Sequence, residues 1–302
     1  MPANLALIIA TFLWGSSFIA LKYSIDVYDP AFVIFFRMLT TLVVCLFLWP
    51  WVKKFNYQKG DWKFLLSMSL AEPCLYFLFE GHAMQYTSAS QAGILVSCFP
   101  LIVAVFAYIM LKERLTKTIM AGFGFCIIGG IALTLLSPES EHAPNPTLGN
   151  ALEFLAILCA AYYAVSVKHL STRYSPLSLI ALQGLTGTVF FAPFLFFIEL
   201  PSQYDEKAVL SILYLGTFVT LGAYGMYNYA ISKVSVLTAA AFSNLIPVFT
   251  LMLSASILGE FLSFEQWLSV IVIFVGVMIS QKYKAVDNDK SSNNQITTDS
   301  TK

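Results

Sequence analysis

Charge is what this sequence has least of. Only 11% of its 302 residues are Asp, Glu, Lys or Arg, while 58% are hydrophobic. Soluble domains carry roughly 25% charged residues. A globule of this length has too much outside to hide so much apolar surface, so a soluble fold is excluded; a lipid solvent removes the difficulty. A basic excess is missing too: Lys+Arg and Asp+Glu both number 17, and nothing points to nucleic acid as a partner. His is rare. His82, His142 and His169, with Cys at positions 45, 74, 98, 126 and 159, show no metal-ligand spacing, so neither a metal nor a cofactor is expected. Each Cys falls inside an apolar run, where it reads as a small buried hydrophobe and not as half of a disulfide. There is no Walker-type Gly-rich phosphate loop, no His-Glu-x-x-His motif, no Ser–His–Asp order and no acidic metal motif. These gaps argue against ATP drive by this chain and against an enzyme.

What is present is long apolar runs. A helix needs about 20 apolar residues to cross the hydrocarbon core, and it satisfies its own backbone there. Ten such runs are found, at 4–22, 31–51, 64–86, 89–111, 117–136, 149–170, 176–198, 208–231, 236–258 and 264–282. The expected fold is therefore all-α and membrane-integral. Turn residues mark several connections, among them Asp29-Pro30, Ser137-Pro138, Pro144-Asn145-Pro146 and Pro201-Ser202. No Lys or Arg precedes the first run and no cleavage pattern follows it, so it reads as a retained helix and not as a signal peptide. Residues 284–302, rich in Asn, Ser, Asp, Thr and Lys, read as a disordered tail.

Basic residues set the orientation. If the chain alternates sides from its N-terminus, fourteen Lys and Arg fall on the first side and only Lys22 and Lys207 on the second, with Arg37 inside a span. The first side is then cytoplasmic, both termini lie inside, and a cell (plasma or inner) membrane is expected.

The chain also repeats. A shift of 147 carries Ala83 onto Ala230, Ser88 onto Ser235, Ala92 onto Ala239, Pro100 onto Pro247, Glu113 onto Glu260 and Gly129 onto Gly276; a shift of 146 carries Lys22 onto Lys168 and Pro30 onto Pro176. Five spans per copy is odd, so the second copy enters the membrane upside down. The expectation is two inverted five-helix repeats, 1–138 and 147–283. Copies related by an in-plane pseudo-twofold axis can exchange conformations, as alternating access requires.

Several segments carry a resemblance: Trp14-Gly15-Ser16-Ser17-Phe18 with Lys22; Phe36-Arg37; Ala83-Met84-Gln85-Tyr86-Thr87-Ser88-Ala89-Ser90; Pro100; and Leu111-Lys112-Glu113-Arg114-Leu115-Thr116. The second half offers Ala230, Ser235, Pro247 and Leu258-Gly259-Glu260-Phe261-Leu262-Ser263. In their order, over roughly residues 4–282, they resemble the EamA-like branch of the drug/metabolite transporter superfamily. The resemblance implies a ten-helix inverted-repeat carrier, often an exporter of amino acids or related metabolites. The halves differ in chemistry: Arg37 pairs with Gln183, and the Trp14 region with Cys159–Tyr163.

Ionisable groups inside a span are costly and suggest function or a partner. The third run holds Glu72, Glu80 and His82, with Pro73 able to kink it. At 100° per residue Glu72 and Glu80 lie on neighbouring faces, able to border one cavity. The repeat sets Glu80-Gly81-His82 against Tyr227-Asn228-Tyr229. Glu80 and Glu72 are candidate ligand or proton sites, or members of internal salt bridges. Arg37 either pairs with them or holds a substrate carboxylate. Lys22 either snorkels to the outer interface or attracts substrate. Trp14 either stacks on substrate or fills the core, and His82 suits an interfacial role. The small residues around Gly93 allow close packing and leave room beside the central prolines, Pro100 and Pro247. Glu113 and Glu260 suit helix-end roles. The expected site is a central cavity between the first, third, fourth, sixth, eighth and ninth runs.

The function expected is a secondary transporter of a small-molecule substrate, in contact with membrane lipid and coupled to protons or a counter-solute. The alternatives are a membrane-embedded enzyme and a channel or scaffold. Oligomeric state is left open.

Overall fold

The computed structural model describes residues 1–52, 57–112, 117–137, 139–140, 143–171, 173–276 and 278–279. Glu113, His142 and the 284–302 tail lie outside them. The described chain is helical, apart from an isolated bridge between Ser140 and Ala143. In order the long helices are α1 (Ala3–Ile25), α2 (Pro30–Phe47), α3 (Asp61–Tyr86), α4 (Ala89–Leu111), α5 (Lys117–Leu135), α6 (Pro146–Leu170), α7 (Pro176–Phe196), α8 (Glu206–Ile231), α9 (Val236–Ile257) and α10 (Phe264–Gly276), with a four-residue helical turn, Trp49–Val52, after α2. Eight are long and apolar enough to cross a membrane; α10 and the apolar part of α5, Met120–Leu135, are shorter. The expected last span, 264–282, runs beyond the described residues.

Local chemistry explains where the helices begin. Free N–H groups at a helix start need acceptors. Asp29, Ser88, Asn145, Ser175, Asp205 and Ser235 each supply a side-chain oxygen to a first-turn N–H of the helix that follows. Pro30, Pro146 and Pro176 occupy first-turn positions, where a missing N–H costs nothing. Before α10, Ser263 and Gln266 cap each other: Gln266 N–H donates to Ser263 Oγ at 3.3 Å and Ser263 N–H to Gln266 Oε1 at 2.8 Å.

Four helices are broken near mid-length. In α3 the turns widen over Leu70–Leu75 around Pro73, with Glu72 extended at φ −146°, ψ 117°. In α8 they widen over Leu215–Ala223, where Thr220 Oγ1 donates back to Leu215 O at 2.9 Å. The other two breaks follow from proline. Pro100 in α4 cannot donate to Val96 O, and Phe99 N–H takes that carbonyl in a tighter turn. Pro247 in α9 cannot donate to Ser243 O, and Ile246 N–H takes it at 3.0 Å.

The helices pack α2 on α7, α3 on α6, α8 on α1, and α4 on both α6 and α9, with α1 also on α9. Gly93 of α4 is needed for the approach to α9: a Cβ there would stand 2.6 Å from Thr250 Cγ2. At one end of the molecule Tyr28 Oη accepts from Asp205 N–H at 2.8 Å. Elsewhere Asp61, at the start of α3, takes Tyr174 Oη at 2.8 Å and Arg173 Nη2 at 2.9 Å. Burial, and then the bond to Asp61, pushes the Tyr174 phenol up to about 12.

Candidate functional site

A narrow cavity of about 50 Å³ lies among the broken helices. It has room for a few waters and not for a metabolite. Its walls come from α1, α3, α4, α6, α8 and α9, including Trp14, Glu72, Tyr76, Tyr163, Tyr224 and Tyr227. All four residues at the proline breaks, Val96, Phe99, Ser243 and Ile246, also line it. Irregular backbone at membrane depth is tolerated where it lines a cavity, and here the breaks and the cavity coincide.

The aromatic wall is tightly built. Trp14 meets the Tyr224 ring edge-on at 5.2 Å and the Tyr227 ring tilted at 5.0 Å. Tyr163 stands edge-on to Tyr224 at 5.9 Å. Three polar atoms on this wall, Trp14 Nε1, Tyr227 Oη and Ser243 Oγ, have no hydrogen-bond partner among the described residues. Buried polar groups are normally satisfied; these three are available to a bound molecule.

Of the two helix α3 acids expected to border a cavity, Glu72 does. The extended backbone at Glu72 brings its carboxyl to Tyr224, whose hydroxyl donates to it. Gln183, the counterpart of Arg37, donates to Glu72 O at 3.2 Å, and Tyr163 Oη donates to Asn228 Oδ1 at 2.9 Å. Glu80 lies behind the wall: Tyr76, which lines the cavity, donates to Glu80 Oε1 at 2.7 Å. Arg37 Nη1 stands 3.7 Å from Glu80 Oε2. The Arg37 guanidinium also lies 4.0 Å above the Phe77 ring and donates through Nε to Thr220 at 2.9 Å. Arg37 therefore sits in a protein-built cage, away from the cavity wall.

One residue sits differently from its expected place. Lys22 does not snorkel outward. It is buried, donating to Met84 O at 2.8 Å and Thr87 O at 3.4 Å, with Asp26 at 3.8 Å. The last carbonyls of α3 lack helical partners and offer the ammonium better company than lipid does. His82 is exposed, its Nδ1 2.8 Å from Leu78 O, and faces away from the cavity. Glu260 does more than shape its own turn: its carboxylate accepts from Ala89 N–H, Ser90 N–H and Ser90 Oγ, capping α4. One acid escaped notice in the sequence. Glu153 of α6 is wholly buried, and neither of its oxygens has a hydrogen-bond partner among the described residues. An acid inside an apolar run is the same signal that marks Glu80.

The family model for EamA-like transporters matches residues 1–136 and again residues 147–281. The chain belongs to the EamA-like transporter family. It is a multi-pass membrane protein with transmembrane helices, in a family of transporters. Among its relatives, the uncharacterized transporters YetK and YcxC of Bacillus subtilis (strain 168) are each 27% identical to it. The first covers 93% of this chain and 87% of its own, the second 92% of both. An uncharacterized transporter of Archaeoglobus fulgidus is 25% identical over 92% of this chain and 96% of its own. A solved crystal structure shares the fold with a TM-score of 0.68 at 17% identity, over 93% of this chain and 96% of that one. EamA-like membership agrees with the resemblance carried by the Trp14–Phe18 and Ala83–Ser90 segments.

Proposed function

We propose that this EamA-like protein is a secondary carrier whose ten membrane-spanning helices form two inverted repeats, 1–138 and 147–283. It exports amino acids or related small polar metabolites from the cell by alternating access and is not an enzyme. Both termini and the 284–302 tail are cytoplasmic, in a plasma or inner membrane, with lipid around the helices and a proton or counter-solute supplying the energy.

The observation that carries this reading is reciprocity of contacts. Lys22 caps α3 through Met84 O and Thr87 O, and Lys168 caps α8 through Ile231 O and Val234 O at 2.9 and 2.8 Å. Met84 and Thr87 precede Ile231 and Val234 by the repeat interval of 147. The same interval relates Ser67 to Tyr214, and 146 relates Ser16 to Tyr162. Ser16 and Tyr214 meet at 2.6 Å, and Tyr162 and Ser67 at 2.8 Å. A Cβ on Gly129 would press on Ser269 O and Ile273, and one on Gly276 on Gly122 O and Cys126, again in register. Two halves that make the same contacts can exchange conformations, which supports alternating access.

In this scheme Trp14, Tyr227, Glu72 and Asn228 meet or lie beside the solute. Glu80 and Arg37 set the charge behind it. Pro100, Pro247, Pro73 and Gly93 provide the breaks and close packing around which the cavity widens. Lys22 and His82, both off the cavity, act at the ends of their helices. Purified protein in liposomes tests the reading. A carrier shows saturable flux and counterflow of an L-amino acid panel. Non-saturable flux without counterflow indicates a channel, and chemical conversion without a gradient an enzyme; either overturns it.

A further inference from the structure

The two halves repeat their contacts but not their surfaces. Where α6 meets α3 and α4, two phenylalanines fill the crevice between them. Phe106 stands edge-on to Tyr162 at 5.9 Å, and the Phe64 ring lies 4.8 Å from that of His169. The equivalent crevice lies where α1 meets α8 and α9, in register through the Ser16–Tyr214 and Tyr162–Ser67 hydrogen bonds. There the repeat intervals of 147 and 146 put Leu253 in place of Phe106, Ser211 in place of Phe64 and Tyr23 in place of His169. Two phenylalanine rings are missing, and a groove of about 540 Å³ is left. That is within the roughly 300–1,000 Å³ usual for a binding site.

The groove has an apolar length and a polar end. Phe12 and Ile19 of α1 and Leu253 and Ile257 of α9 line it, and Phe12 and Ile257 are exposed, so it opens on the lipid-facing surface. From Phe12 to Tyr23 it follows α1 for eleven residues, which is about 16 Å of helix and the depth of one leaflet of a hydrocarbon core of roughly 30 Å. Tyr23 is near the end of α1, and beside it the wall adds Ser211 and Lys207 of α8. Lys207 stands where the other half has Gly60. It makes no ion pair or hydrogen bond among the described residues. Glu206 starts 100° away around the helix and is not part of the wall. Asp205 is occupied in capping α8.

We propose that this groove holds one anionic phospholipid, with an acyl chain along α1 between Phe12 and Tyr23 and the phosphate at Lys207. The apolar walls suit a hydrocarbon chain, and the Lys207 ammonium donates to a phosphate oxygen. The filled crevice between α6, α3 and α4 has neither the room nor the cation, so only one half takes a lipid. Neither the groove nor its lipid depends on the carrier reading; the topology proposed with that reading assigns the lipid to the leaflet away from the cytoplasm.

The test is to reconstitute the protein in equal phosphatidylglycerol and phosphatidylcholine, extract it in mild detergent and weigh it intact by native mass spectrometry. Wild type should keep one phosphatidylglycerol. The double variant Ser211→Phe, Leu253→Phe copies the rings of the other half and should lose the lipid while eluting as wild type does. Lys207→Gln changes an exposed side chain and should fold normally. Its retained phosphatidylglycerol should fall about fivefold, the weight of one Lys at an anionic surface, and its preference over phosphatidylcholine should vanish. If the double variant fails to fold, Lys207→Gln decides alone. Equal retention by wild type and the folded variants, or a wild type that keeps phosphatidylcholine as readily, overturns the lipid site. A protein that keeps the lipid but moves no amino acid upholds the site and sinks the carrier reading instead.

Discussion

Lys112 and Gly259 hold the same left-handed backbone conformation, at φ 57° and φ 68°, each just beyond the end of its helix, α4 or α9. They are separated by the repeat interval of 147. Gly259 adopts this conformation without penalty, because it has no Cβ to meet its own carbonyl. Lys112 pays roughly 1–2 kcal/mol for it. Lys112→Gly should therefore stabilise the protein by about 1 kcal/mol after the added chain entropy is subtracted, and Lys112→Ala should give no such gain. Gly259→Ala should destabilise by a similar amount. Reversible unfolding in mixed micelles measures all three; equal stability of the Gly and Ala variants at 112 rejects the account.

Arg37 and Glu80 form the second pair with a measurable consequence. Both are buried, and Arg37 Nη1 stands 3.7 Å from Glu80 Oε2. Removing one member of a buried pair leaves the other uncompensated and costs about 3–5 kcal/mol. Arg37→Met should cost about 3 kcal/mol on that scale, since its contacts with Phe77 and Thr220 go too. Adding Glu80→Gln should recover at least about 1 kcal/mol of the loss, the coupling energy of a double-mutant cycle. Additive losses would mean that the two groups do not interact.

Helix starts were the most readable part of the fold, because their causes are local. Asp29-Pro30 and Pro144-Asn145-Pro146 mark connections in the sequence, and in the structure Asp29, Asn145 and Ser175 each cap the helix that follows. The six helices around the cavity follow from the repeat together with the central prolines. What could not be read depends on packing. Lys22 turns inward because carbonyls 62 and 65 residues away need donors. Glu80 ends up behind Tyr76, and not on the wall, because the widened turn at Leu70–Leu75 resets the phase of α3. On an unbroken helix Glu72 and Glu80 would keep their 80° relation. Glu153 carried a signal in the sequence, but its burial comes from the packing of α6 among its neighbours, α3 included.

Orientation can be checked without function. The excess of basic residues on one side is motive enough to expect the loop near Lys59 inside the cell and the one near Asn145 outside. Reporters fused at those two positions should be active on opposite sides, inside for the first and outside for the second. The reverse pattern sinks the proposed topology, and with it the direction of export.

Glu80→Gln separates a transport role from a structural one. The amide keeps the shape of the carboxyl and can still accept the Tyr76 hydroxyl at the Oε1 position, so the hydrogen bond at 2.7 Å survives. What disappears is the charge facing Arg37 and the capacity to bind a proton. If Glu80 serves only to neutralise Arg37, the variant should insert poorly or unfold early, and removing Arg37 as well should partly restore its abundance. If Glu80 works in the carrier cycle, the variant should accumulate and elute as wild type does, yet lose flux or lose the dependence of flux on pH. Arg37 has other support in the second case, from the Phe77 face and the Thr220 hydroxyl, which is why folding is expected to survive. Proteoliposome flux measured over a pH series, beside the amount of folded protein, distinguishes the two. Normal abundance with unchanged flux at every pH would remove Glu80 from the mechanism.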